Sequence, residues 1–526
     1  MRDPVGLSID GTVADCESGI TVAAALENSG RSVCRRSVSG EGRGVLCAMG
    51  VCFECRVTID GVPHRRACME LVRDGMEIST GEPRLPLPSA VSRLTTAREA
   101  LVCEIAVVGA GPAGIAAACR AAESGARTLL LDEGLAAGGQ IYRHRPGQEA
   151  PEEARAWITR LKRSGADVRY GAAVFDGVAV GDGFRLLAET GPGSGGLEVR
   201  AKRVILATGA RELFLPFPGW TLPGVMGAAG AQALWKSGGS LSGRRAVVAG
   251  SGPLLLPVAA SLAKAGARVV LVAEQASSGA LLRFGGSLWR FPGKLAEAAR
   301  YRAGFSRARY RAGTWIAGAL GRERVEAVVL QAGDRRFTVA CDLAAVGYGL
   351  VPNTELARLL GCDARGGAVV VHETQESSVP GLFCAGEPCG IAGVEAAIAE
   401  GQIAGLRAAG RFAMSGDEER RLLGARARSR RFAEVLARTF ALRSELRSTA
   451  RPDTIVCRCE DARLDNLAAC GGAREAKLST RAGMGPCQGR VCGPALEFLF
   501  GWASDSVRPP VKPASLGSLA GMEESA

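Results

Sequence analysis

The chain has 526 residues, a formal net charge of +12 and 17 cysteines, and 47% of its residues are hydrophobic. It is too long for one hydrophobic core, no apolar run approaches the roughly 20 residues of a membrane-spanning helix, and the start lacks the apolar core of a secretory signal. These observations argue against a membrane-spanning protein. They predict a cytoplasmic α/β chain of several domains, with peripheral association at the inner membrane through a complex left open.

The charge and the cysteines narrow the function classes further. Aromatic residues make up only 5% and the arginines are dispersed, which favours a solvated basic surface over a nucleic-acid site. A partner with an acidic face stays open. In a reducing compartment, clustered cysteines serve as metal or cluster ligands rather than as disulfides.

The first predicted elements form a small domain. The alternation in LSIDGTV around Asp10-Gly11 predicts a β-hairpin, and ITVAAALENSG predicts a short helix. Three cysteines then follow the C-x4-C-x2-C spacing that plant-type ferredoxins use for a [2Fe–2S] cluster, and a fourth comes later. Zinc is the alternative, although only the C-x2-C pair has zinc-like spacing. The predicted ligands are Cys47, Cys52, Cys55 and Cys68.

After a linker rich in Pro and Ser, CEIAVVGAGPAGIAAACRAAESGARTLLLDE predicts a strand–turn–helix–strand unit. Gly109, Gly111 and Gly114 take the G-x-G-x-x-G positions. The first permits the turn, the second lets the backbone approach a pyrophosphate, and the third allows close helix packing. Asp132, with Glu133 beside it, ends the second strand where a carboxylate accepts hydrogen bonds from ribose hydroxyls. The pattern predicts a dinucleotide site.

Two later stretches indicate which dinucleotide is bound. AKRVILATGARE and VPGLFCAGEPCGIAGVEAAIAEGQIAG resemble the second and third landmarks of the two-dinucleotide flavoproteins, which hold FAD. That family usually has Asp at the position of Glu387, whose longer arm still reaches the ribityl chain. The resemblance implies FAD contacts at Gly109, Gly111, Pro112, Ala113, Gly114, Asp132, Glu133, Gly139, Gln140, Thr208, Gly209, Gly386 and Glu387.

A second strand–turn–helix–strand unit, GRRAVVAGSGPLLLPVAASLAKAGARVVLVAEQ, lies between these landmarks. Gly250 and Gly252 begin the fingerprint, but Leu255 replaces its third glycine, and its side chain should push the helix away from the strand. If the unit binds a nucleotide, Glu274 favours NAD over NADP. A working NAD site and an inherited, vacant one therefore both stay open.

The stretch QIYRHRPG after the first GG carries no cysteine, unlike related flavoenzymes with a redox disulfide there. The flavin is thus expected to exchange electrons with a group other than a dithiol. His144 in this stretch is a weak candidate for catalysis, with a surface histidine as the alternative. His64 is expected to be exposed, and His372 to lie in a strand.

The last cysteine cluster follows one or two predicted amphipathic connecting helices. VCRCED has the spacing C-x-C and GPCQGRVCGP has the spacing C-x4-C, a pairing that resembles the [2Fe–2S] domain of bacterioferritin-associated ferredoxin. Neighbouring glycines would expose N–H groups to the sulfur atoms. Four thiolates also bind zinc, so zinc stays open. The predicted ligands are Cys457, Cys459, Cys487 and Cys492.

Long stretches such as LATGARELFLPFPGWTLPGVMGAAGAQ and CDLAAVGYGLVPNTELARLLGC resemble the FAD-dependent α subunits of the hydrogen cyanide synthase, opine oxidase and D-hydroxyproline dehydrogenase family. The order in which a ferredoxin-like part is fused ahead of the flavoprotein part is also similar to part of the α chain of heterotetrameric sarcosine oxidase. The resemblance implies an amino-acid or imino-acid dehydrogenase complex in which a FAD-containing subunit of the D-amino-acid-oxidase type oxidises the C–N bond. This chain would relay the electrons.

Two alternatives remain from the sequence: an NAD(P)H-dependent FAD/[2Fe–2S] reductase, and a non-enzymatic electron-transfer or redox-sensing module. In each case the predicted fold is a glutathione-reductase-like α/β core with an N-terminal β-grasp domain and a small helical C-terminal domain. The predicted boundaries are 1–82 (ferredoxin-like), 83–100 (linker), 101–225 and 341–412 (FAD-binding), 226–340 (inserted NAD-type Rossmann), 413–450 (connecting helices), 451–500 (C-terminal [2Fe–2S]) and 501–526 (tail).

Overall fold

The computed structural model describes residues 4–81, 98–191, 196–305, 307–410, 416–503 and 506–520. Most of the predicted linker lies outside these ranges. No helix among the described residues is both long and apolar enough to cross a membrane. The chain divides into two compact units: a first unit of Met1–Arg84, Glu212–Gly349 and Val435–Ser504, and a second unit of Leu85–Arg211, Leu350–Glu434 and Asp505–Ala526.

Strands and helices follow one another along the whole described chain. In chain order the strands are β1 (Pro4–Ile9), β2 (Thr12–Glu17), β3 (Arg35–Arg36), β4 (Gly42–Arg43), β5 (Arg56–Ile59), β6 (Val62–Arg66), β7 (Glu77–Ser79), β8 (Glu99–Val108), β9 (Thr128–Asp132), β10 (Asp167–Tyr170), β11 (Ala173–Val180), β12 (Gly183–Glu189), β13 (Leu197–Leu206), β14 (Ala210–Glu212), β15 (Val225–Gly227), β16 (Arg245–Gly250), β17 (Arg268–Glu274), β18 (Arg309–Arg311), β19 (Thr314–Leu320), β20 (Ala327–Ala332), β21 (Arg335–Ala340), β22 (Leu343–Gly347), β23 (Leu350–Pro352), β24 (Ala364–Arg365), β25 (Ala368–Val369), β26 (Leu382–Cys384), β27 (Ile455–Cys457) and β28 (Ala462–Arg463). The helices are α1 (Val22–Asn28), α2 (Pro112–Glu123), α3 (Glu152–Arg163), α4 (Ala228–Lys236), α5 (Leu255–Lys264), α6 (Ser278–Ser287), α7 (Pro292–Ala303), α8 (Glu355–Leu359), α9 (Val394–Ala408), α10 (Gly416–Thr439), α11 (Leu464–Ala468), α12 (Ala473–Thr480), α13 (Cys492–Phe500) and α14 (Leu516–Ala520), and single 3-10 turns lie at Ala67–Met69, Leu288–Arg290, Glu387–Cys389 and Ser444–Ser448.

The second unit is built on a sheet whose central strands are buried. Its strands run in the order β10-β9-β8-β13-β12-β11, with β26 also paired to β13. Residues 105–108 of β8 are apolar and buried, as expected for a parallel strand covered on both faces. Helix α2 packs so closely on α9 that a Cβ at Gly401 would lie only 2.1 Å from the Ala113 carbonyl oxygen. A Cβ at Gly405 would lie 2.3 Å from the Ala117 carbonyl oxygen. The predicted strand–turn–helix–strand unit is confirmed as β8, α2 and β9.

The N-terminal part of the first unit is a five-stranded sheet in the order β2-β1-β7-β5-β6, accompanied by α1. β1 and β2 form the predicted hairpin. Asp10 (φ 51) and Gly11 (φ 77) both have the left-handed backbone that a two-residue turn requires. Helix α1 begins after Thr21, whose side chain accepts a hydrogen bond from the Ala24 N–H.

The same unit holds two further sheets. One is parallel, with its strands in the order β15-β22-β16-β17-β18, and the other is antiparallel, β19-β20-β21. Strand β16 is buried, and it leads through the second glycine turn to α5. This is the predicted inserted Rossmann unit, and its turn is described below.

Further along the chain, α10 supplies the predicted connecting helix, and the C-terminal part of the first unit consists of the β27–β28 hairpin followed by α11, α12 and α13. The exposed position of His64 is confirmed. The predicted strand at His372 is wrong, because Gln375 (φ 64) turns the chain back so that the His372 N–H donates to the Glu376 carbonyl. His372 lies exposed in this turn.

Candidate cofactor sites

The first glycine turn contains contacts that only glycine allows. Gly109 has φ 107, and a Cβ there would lie 2.3 Å from the Ala207 carbonyl oxygen. A Cβ at Gly114 would lie 1.7 Å from the Gly109 oxygen. Gly111 differs, because its φ of −76° and ψ of −177° suit any residue and a Cβ there would meet no atom within 4 Å. Gly111 thus faces open space, where a pyrophosphate can approach the backbone and the N-terminus of α2.

Asp132 ends β9 beside this turn. Its two carboxylate oxygens accept hydrogen bonds from the N–H groups of Ala110 (2.5 Å) and Gly134 (2.6 Å). Burial raises the pKa of Asp132, although these hydrogen bonds oppose the shift. Glu133 forms an ion pair with Lys512 at 2.7 Å, a contact that the sequence did not predict. The turn itself therefore orients the carboxylate predicted to meet a ribose.

The GGQ stretch folds back over the turn. Gly139 has φ 58, and a Cβ there would lie 3.0 Å from the Gly111 Cα. Gln140 is exposed. His144 is half-buried and donates from Nδ1 to the Tyr142 carbonyl oxygen at 2.9 Å. His144 is thus oriented by its own loop, which fits the surface interpretation.

Thr208 and Asn353 hold the loop after β13. Thr208 Oγ1 donates to the Asn353 carbonyl at 2.6 Å, and Asn353 Nδ2 donates to the Thr208 carbonyl at 2.9 Å. Arg211 adds a hydrogen bond from Nη1 to Asn353 Oδ1 at 2.8 Å. The predicted Thr208-Gly209 pair therefore has a defined position at the end of the strand next to β8.

Gly386 and Glu387 follow β26, which also pairs with β13. Gly386 has φ 80, and Glu387 starts a 3-10 turn. Glu387 Oε2 is buried and has no hydrogen-bond partner among the described residues, and burial raises the pKa of this carboxyl to about 7. A buried polar atom without a partner is costly, so this oxygen suits a hydroxyl donor from a ligand.

Two residues that the sequence analysis missed hold this loop in place. Glu400 on α9 is 1% exposed, and its Oε2 accepts the Gly386 N–H at 2.9 Å. Its Oε1 accepts from Nε and Nη2 of Arg430 at 2.9 and 2.6 Å, while Arg430 Nη1 donates to the Cys389 carbonyl at 3.1 Å. A glutamate inside the apolar helix AAIAEGQIAG was the available signal. The ends of β8, β9, β13 and β26 thus carry the predicted FAD contacts along one edge of the sheet, and their geometry fits that cofactor.

The second glycine turn has a different conformation. Helix α2 begins directly after Gly111, whereas α5 begins only at Leu255, beyond Gly252 and two further residues. Gly252 has φ 96, and its N–H donates to Glu274 Oε2 at 2.8 Å. In a dinucleotide site the backbone of this second glycine approaches the pyrophosphate. The sequence predicted that Leu255 pushes the helix away from the strand, and the difference that the structure shows at this turn is a late helix start.

A segment of the same unit lies across this second turn. Ser251 Oγ donates to the Phe440 carbonyl at 2.9 Å, and Gln275 Nε2 donates to the Ala441 carbonyl at 3.2 Å. A Cβ at Gly252 would meet the Phe440 ring at 3.9 Å. Arg443 Nη1 donates to the Gln275 carbonyl at 3.3 Å. Residues 440–443, which we call the covering segment, therefore contact both the glycine turn and the strand end where a nucleotide would lie.

Glu274→Gln is expected to remove a pH dependence of stability. Burial raises the pKa of Glu274 from 4.5 to about 7. Between these values the folded protein keeps a proton that the unfolded chain has lost, so this group's contribution is complete below about pH 4.5 and is lost as the pH rises through about 7. The difference is at most about 3 kcal/mol. In thermal unfolding at pH 4 and at pH 8, the stability of the variant relative to the wild type should therefore rise with pH.

Glu297→Gln, a partly exposed position paired with Lys294, is the control and should follow the wild-type pH profile. Parallel profiles for Glu274→Gln and the wild type would contradict a protonated Glu274.

The N-terminal cysteines come together as two pairs of buried thiols. Cys47 hydrogen bonds with Cys52, and Cys55 with Cys68, and all four are at most 2% exposed. The N–H groups of Met49 and Cys52 donate to Cys47 Sγ at 3.4 Å each. The hydrogen bond from Cys52, together with these N–H groups, lowers the pKa of Cys47 to about 6 despite its burial. The loop therefore favours a thiolate, the form that binds metal.

The C-terminal cysteines repeat this arrangement. Cys457 hydrogen bonds with Cys492, and the Sγ atoms of Cys459 and Cys487 lie 3.6 Å apart. The hydrogen bond from Cys492 and nearby backbone N–H groups lower the pKa of Cys457 to about 7. A Cβ at Gly485 would lie 2.2 Å from the Cys459 Cβ, so the loop needs glycine there.

Paired thiols fit a binuclear cluster, in which two cysteines bind each iron. In each set the described thiols form two pairs, an arrangement that fits the four ligands of a [2Fe–2S] cluster.

Comparisons with known proteins agree with this geometry. The pyridine nucleotide-disulphide oxidoreductase family matches residues 103–401, and the 2Fe-2S iron-sulfur cluster binding domain matches residues 2–83. The A subunit of opine oxidase from Rhizobium meliloti (strain 1021) is 33% identical over 472 residues, which cover 80% of this chain and 98% of that protein. The HcnB subunit of hydrogen cyanide synthase from Pseudomonas aeruginosa is 33% identical over 76% of this chain and 92% of its own. The L-proline dehydrogenase structure from P. horikoshii shares the fold, with a TM-score of 0.69 over 98% of each chain at 20% identity.

The described core and these matches define an oxidoreductase with a FAD-type domain and a 2Fe-2S binding domain. The chain belongs to the pyridine nucleotide-disulphide oxidoreductase family, in the group that includes HcnB and the A subunit of opine oxidase. The resemblance seen in the sequence is thereby confirmed. The iron–sulfur match ends at residue 83, so it does not extend to the C-terminal cysteines.

Proposed function

We propose that this chain is the FAD and iron–sulfur subunit of a complex that oxidises the C–N bond of an amino or imino acid. The amine is oxidised by a partner subunit of the D-amino-acid-oxidase type, which contains FAD. This chain receives the electrons from that subunit and passes them to an acceptor. The relatives from Rhizobium meliloti and Pseudomonas aeruginosa carry the word subunit in their names, which supports a partner. The proposal includes a cytoplasmic location, with membrane attachment only through the complex.

The observation that carries this proposal is the covering segment on the second glycine turn. The hydrogen bonds of Ser251 and Gln275 are directed to carbonyl groups of the chain itself, at Phe440 and Ala441. A nicotinamide nucleotide would have to displace this segment to bind there. The inserted Rossmann unit is therefore proposed to be vacant, and electrons reach the flavin from another protein.

The residues have distinct roles in this proposal. FAD, when bound, exchanges either one or two electrons and so links a two-electron substrate to one-electron centres. The backbone at Gly111 and the N-terminus of α2 would hold its pyrophosphate, Asp132 its ribose and Glu387 its ribityl chain. The two sets of four cysteines would each hold a [2Fe–2S] cluster.

An anaerobic absorbance titration tests the function. NADH is expected to leave the flavin of the purified chain oxidised, while dithionite reduces it fully. In the complex purified from its native host, an opine, proline or sarcosine should bleach both the flavin and the cluster absorbance. Rapid, stoichiometric bleaching of the isolated chain by NADH would instead establish a nicotinamide-linked reductase and overturn the proposal.

A further inference from the structure

Two charged residues sit inside the two cysteine loops and bind each other. Glu54 lies between Cys52 and Cys55, and Arg458 lies between Cys457 and Cys459. Arg458 Nε and Nη2 donate to Glu54 Oε2 at 3.1 and 3.0 Å. Both side chains are buried, with exposures of 1% for Glu54 and 3% for Arg458. The two loops, which are over 400 residues apart in sequence, are therefore in direct contact inside the first unit.

A second arginine completes this ion network. Arg35, also 3% exposed, donates from Nη2 to Glu54 Oε1 at 2.7 Å and to the Arg458 carbonyl at 3.1 Å. Arg458 in turn donates from Nη1 to the Trp220 carbonyl at 2.6 Å, and its guanidinium lies over the Trp220 ring at 4.9 Å. Both carboxylate oxygens of Glu54 are thus paired. We call Glu54, Arg35 and Arg458 the clasp.

Further contacts join the segment ahead of the first cysteine loop to the second loop. Arg43, 1% exposed, donates to Asp461 Oδ1 at 2.7 Å, and Asp461 Oδ2 accepts from the N–H and hydroxyl of Ser39 at 3.0 and 2.6 Å. Ser39 and Arg43 belong to the β3–β4 hairpin, and Asp461 lies two residues after Cys459. The interface therefore has a defined geometry that does not depend on one ion pair.

Buried charges act strongly on nearby redox centres because little water screens them. The clasp carries two positive charges and one negative charge, and it lies between two sets of cysteine ligands that become more negative when their clusters are reduced. Ion pairs of this kind often contribute little to stability, since desolvation offsets the attraction. Their presence between two ligand loops points instead to a role in the redox centres themselves.

We propose that the clasp is a positioning group shared by the two clusters: Glu54, Arg35 and Arg458 hold the two ligand loops in contact, and their charges act on the reduction potentials of both clusters. The inference rests on the proposed function, because it requires a [2Fe–2S] cluster in each loop. With a [2Fe–2S] cluster in each loop, one-electron transfer across this contact would oxidise one cluster and reduce the other, without breaking a bond or moving a proton.

The test is a potentiometric titration of the full chain followed by electron paramagnetic resonance, with iron counted for each sample. Cys487→Ala, which retains the N-terminal cluster alone, assigns the two signals. Glu54→Gln removes the negative charge and is expected to shift both midpoint potentials to more positive values with iron unchanged. Glu54→Asp restores the charge and should return both potentials toward the native values. Glu297→Gln breaks a partly exposed ion pair of this unit, with Lys294, and should leave both potentials in place.

The midpoint potential of the C-terminal cluster decides the test. If Glu54 only stabilised the fold, Glu54→Gln would change the unfolding temperature and leave this potential unchanged. If Glu54→Gln keeps its iron and that potential stays at the native value, the inference is wrong. If Glu54→Gln loses iron, Arg458→Gln, which removes a positive charge, takes its place: a shift of both potentials to more negative values supports the inference, and unchanged potentials overturn it. If the native chain contains only about two irons, it has no second [2Fe–2S] cluster, and the inference is wrong.

Discussion

Gly111→Ala is expected to give a folded chain that binds FAD more weakly. The backbone of Gly111 suits alanine, and a methyl group there would meet no protein atom within 4 Å. It would instead enter the space where the pyrophosphate approaches the turn. Overpacking costs about 1–3 kcal/mol, so FAD should bind roughly ten- to a hundredfold more weakly. Flavin released from the purified chain, measured by its absorbance per mole of protein, gives the result.

Two matched substitutions separate loss of FAD from loss of fold. Gly285→Ala on α6 also meets no atom within 4 Å and should keep its flavin. Gly114→Ala places its methyl 1.7 Å from a backbone oxygen and should destabilise the unit itself. Full flavin content in Gly111→Ala would contradict the proposed pyrophosphate position.

Cys487→Ala is expected to halve the iron of the chain, from about four atoms to about two. The substitution removes one thiolate of the pair whose sulfur atoms lie 3.6 Å apart, and a cluster with three thiolates is not expected to survive purification. Cys55→Ala should have the same effect on the N-terminal cluster. Iron and acid-labile sulfide per chain measure both.

The chain offers matched cysteines as controls. Cys470 is only partly buried and donates to the Asn466 carbonyl, while Cys34 is 1% exposed, and burial raises the pKa of its thiol. Neither belongs to the paired sets, so Cys470→Ala and Cys34→Ala should keep all the iron. Unchanged iron in Cys487→Ala would remove the second cluster from the proposal.

Local patterns were sufficient wherever the structure depends on neighbours in sequence. The Asp10-Gly11 hairpin and the Gly109 turn could be predicted because backbone sterics act over a few residues. Leu255 predicted a helix pushed away from its strand, whereas the feature that the structure shows at this position is a late start of α5. The prediction for His372 failed because a left-handed Gln375 is not a typical signal for a turn.

Long-range contacts escaped the sequence analysis. Phe440 and Ala441 reach the second glycine turn from about 190 residues away, and the connecting stretch that holds them has an ordinary amphipathic pattern. Arg458 looked like one more surface arginine, since nothing near it in the chain indicates Glu54. Which distant charges meet depends on how sheets and loops pack, and one sequence does not show that.

The clasp also has a consequence for how the protein matures. Glu54 emerges from the ribosome 404 residues before Arg458, so the first cysteine loop is synthesised long before the residue that binds Glu54. Until Arg458 has been made, Glu54 lacks this partner. After Arg458 docks, both side chains are almost fully buried, and we expect cluster insertion to precede this step. The order of synthesis would then ensure that the N-terminal cluster is inserted before Arg458 binds Glu54.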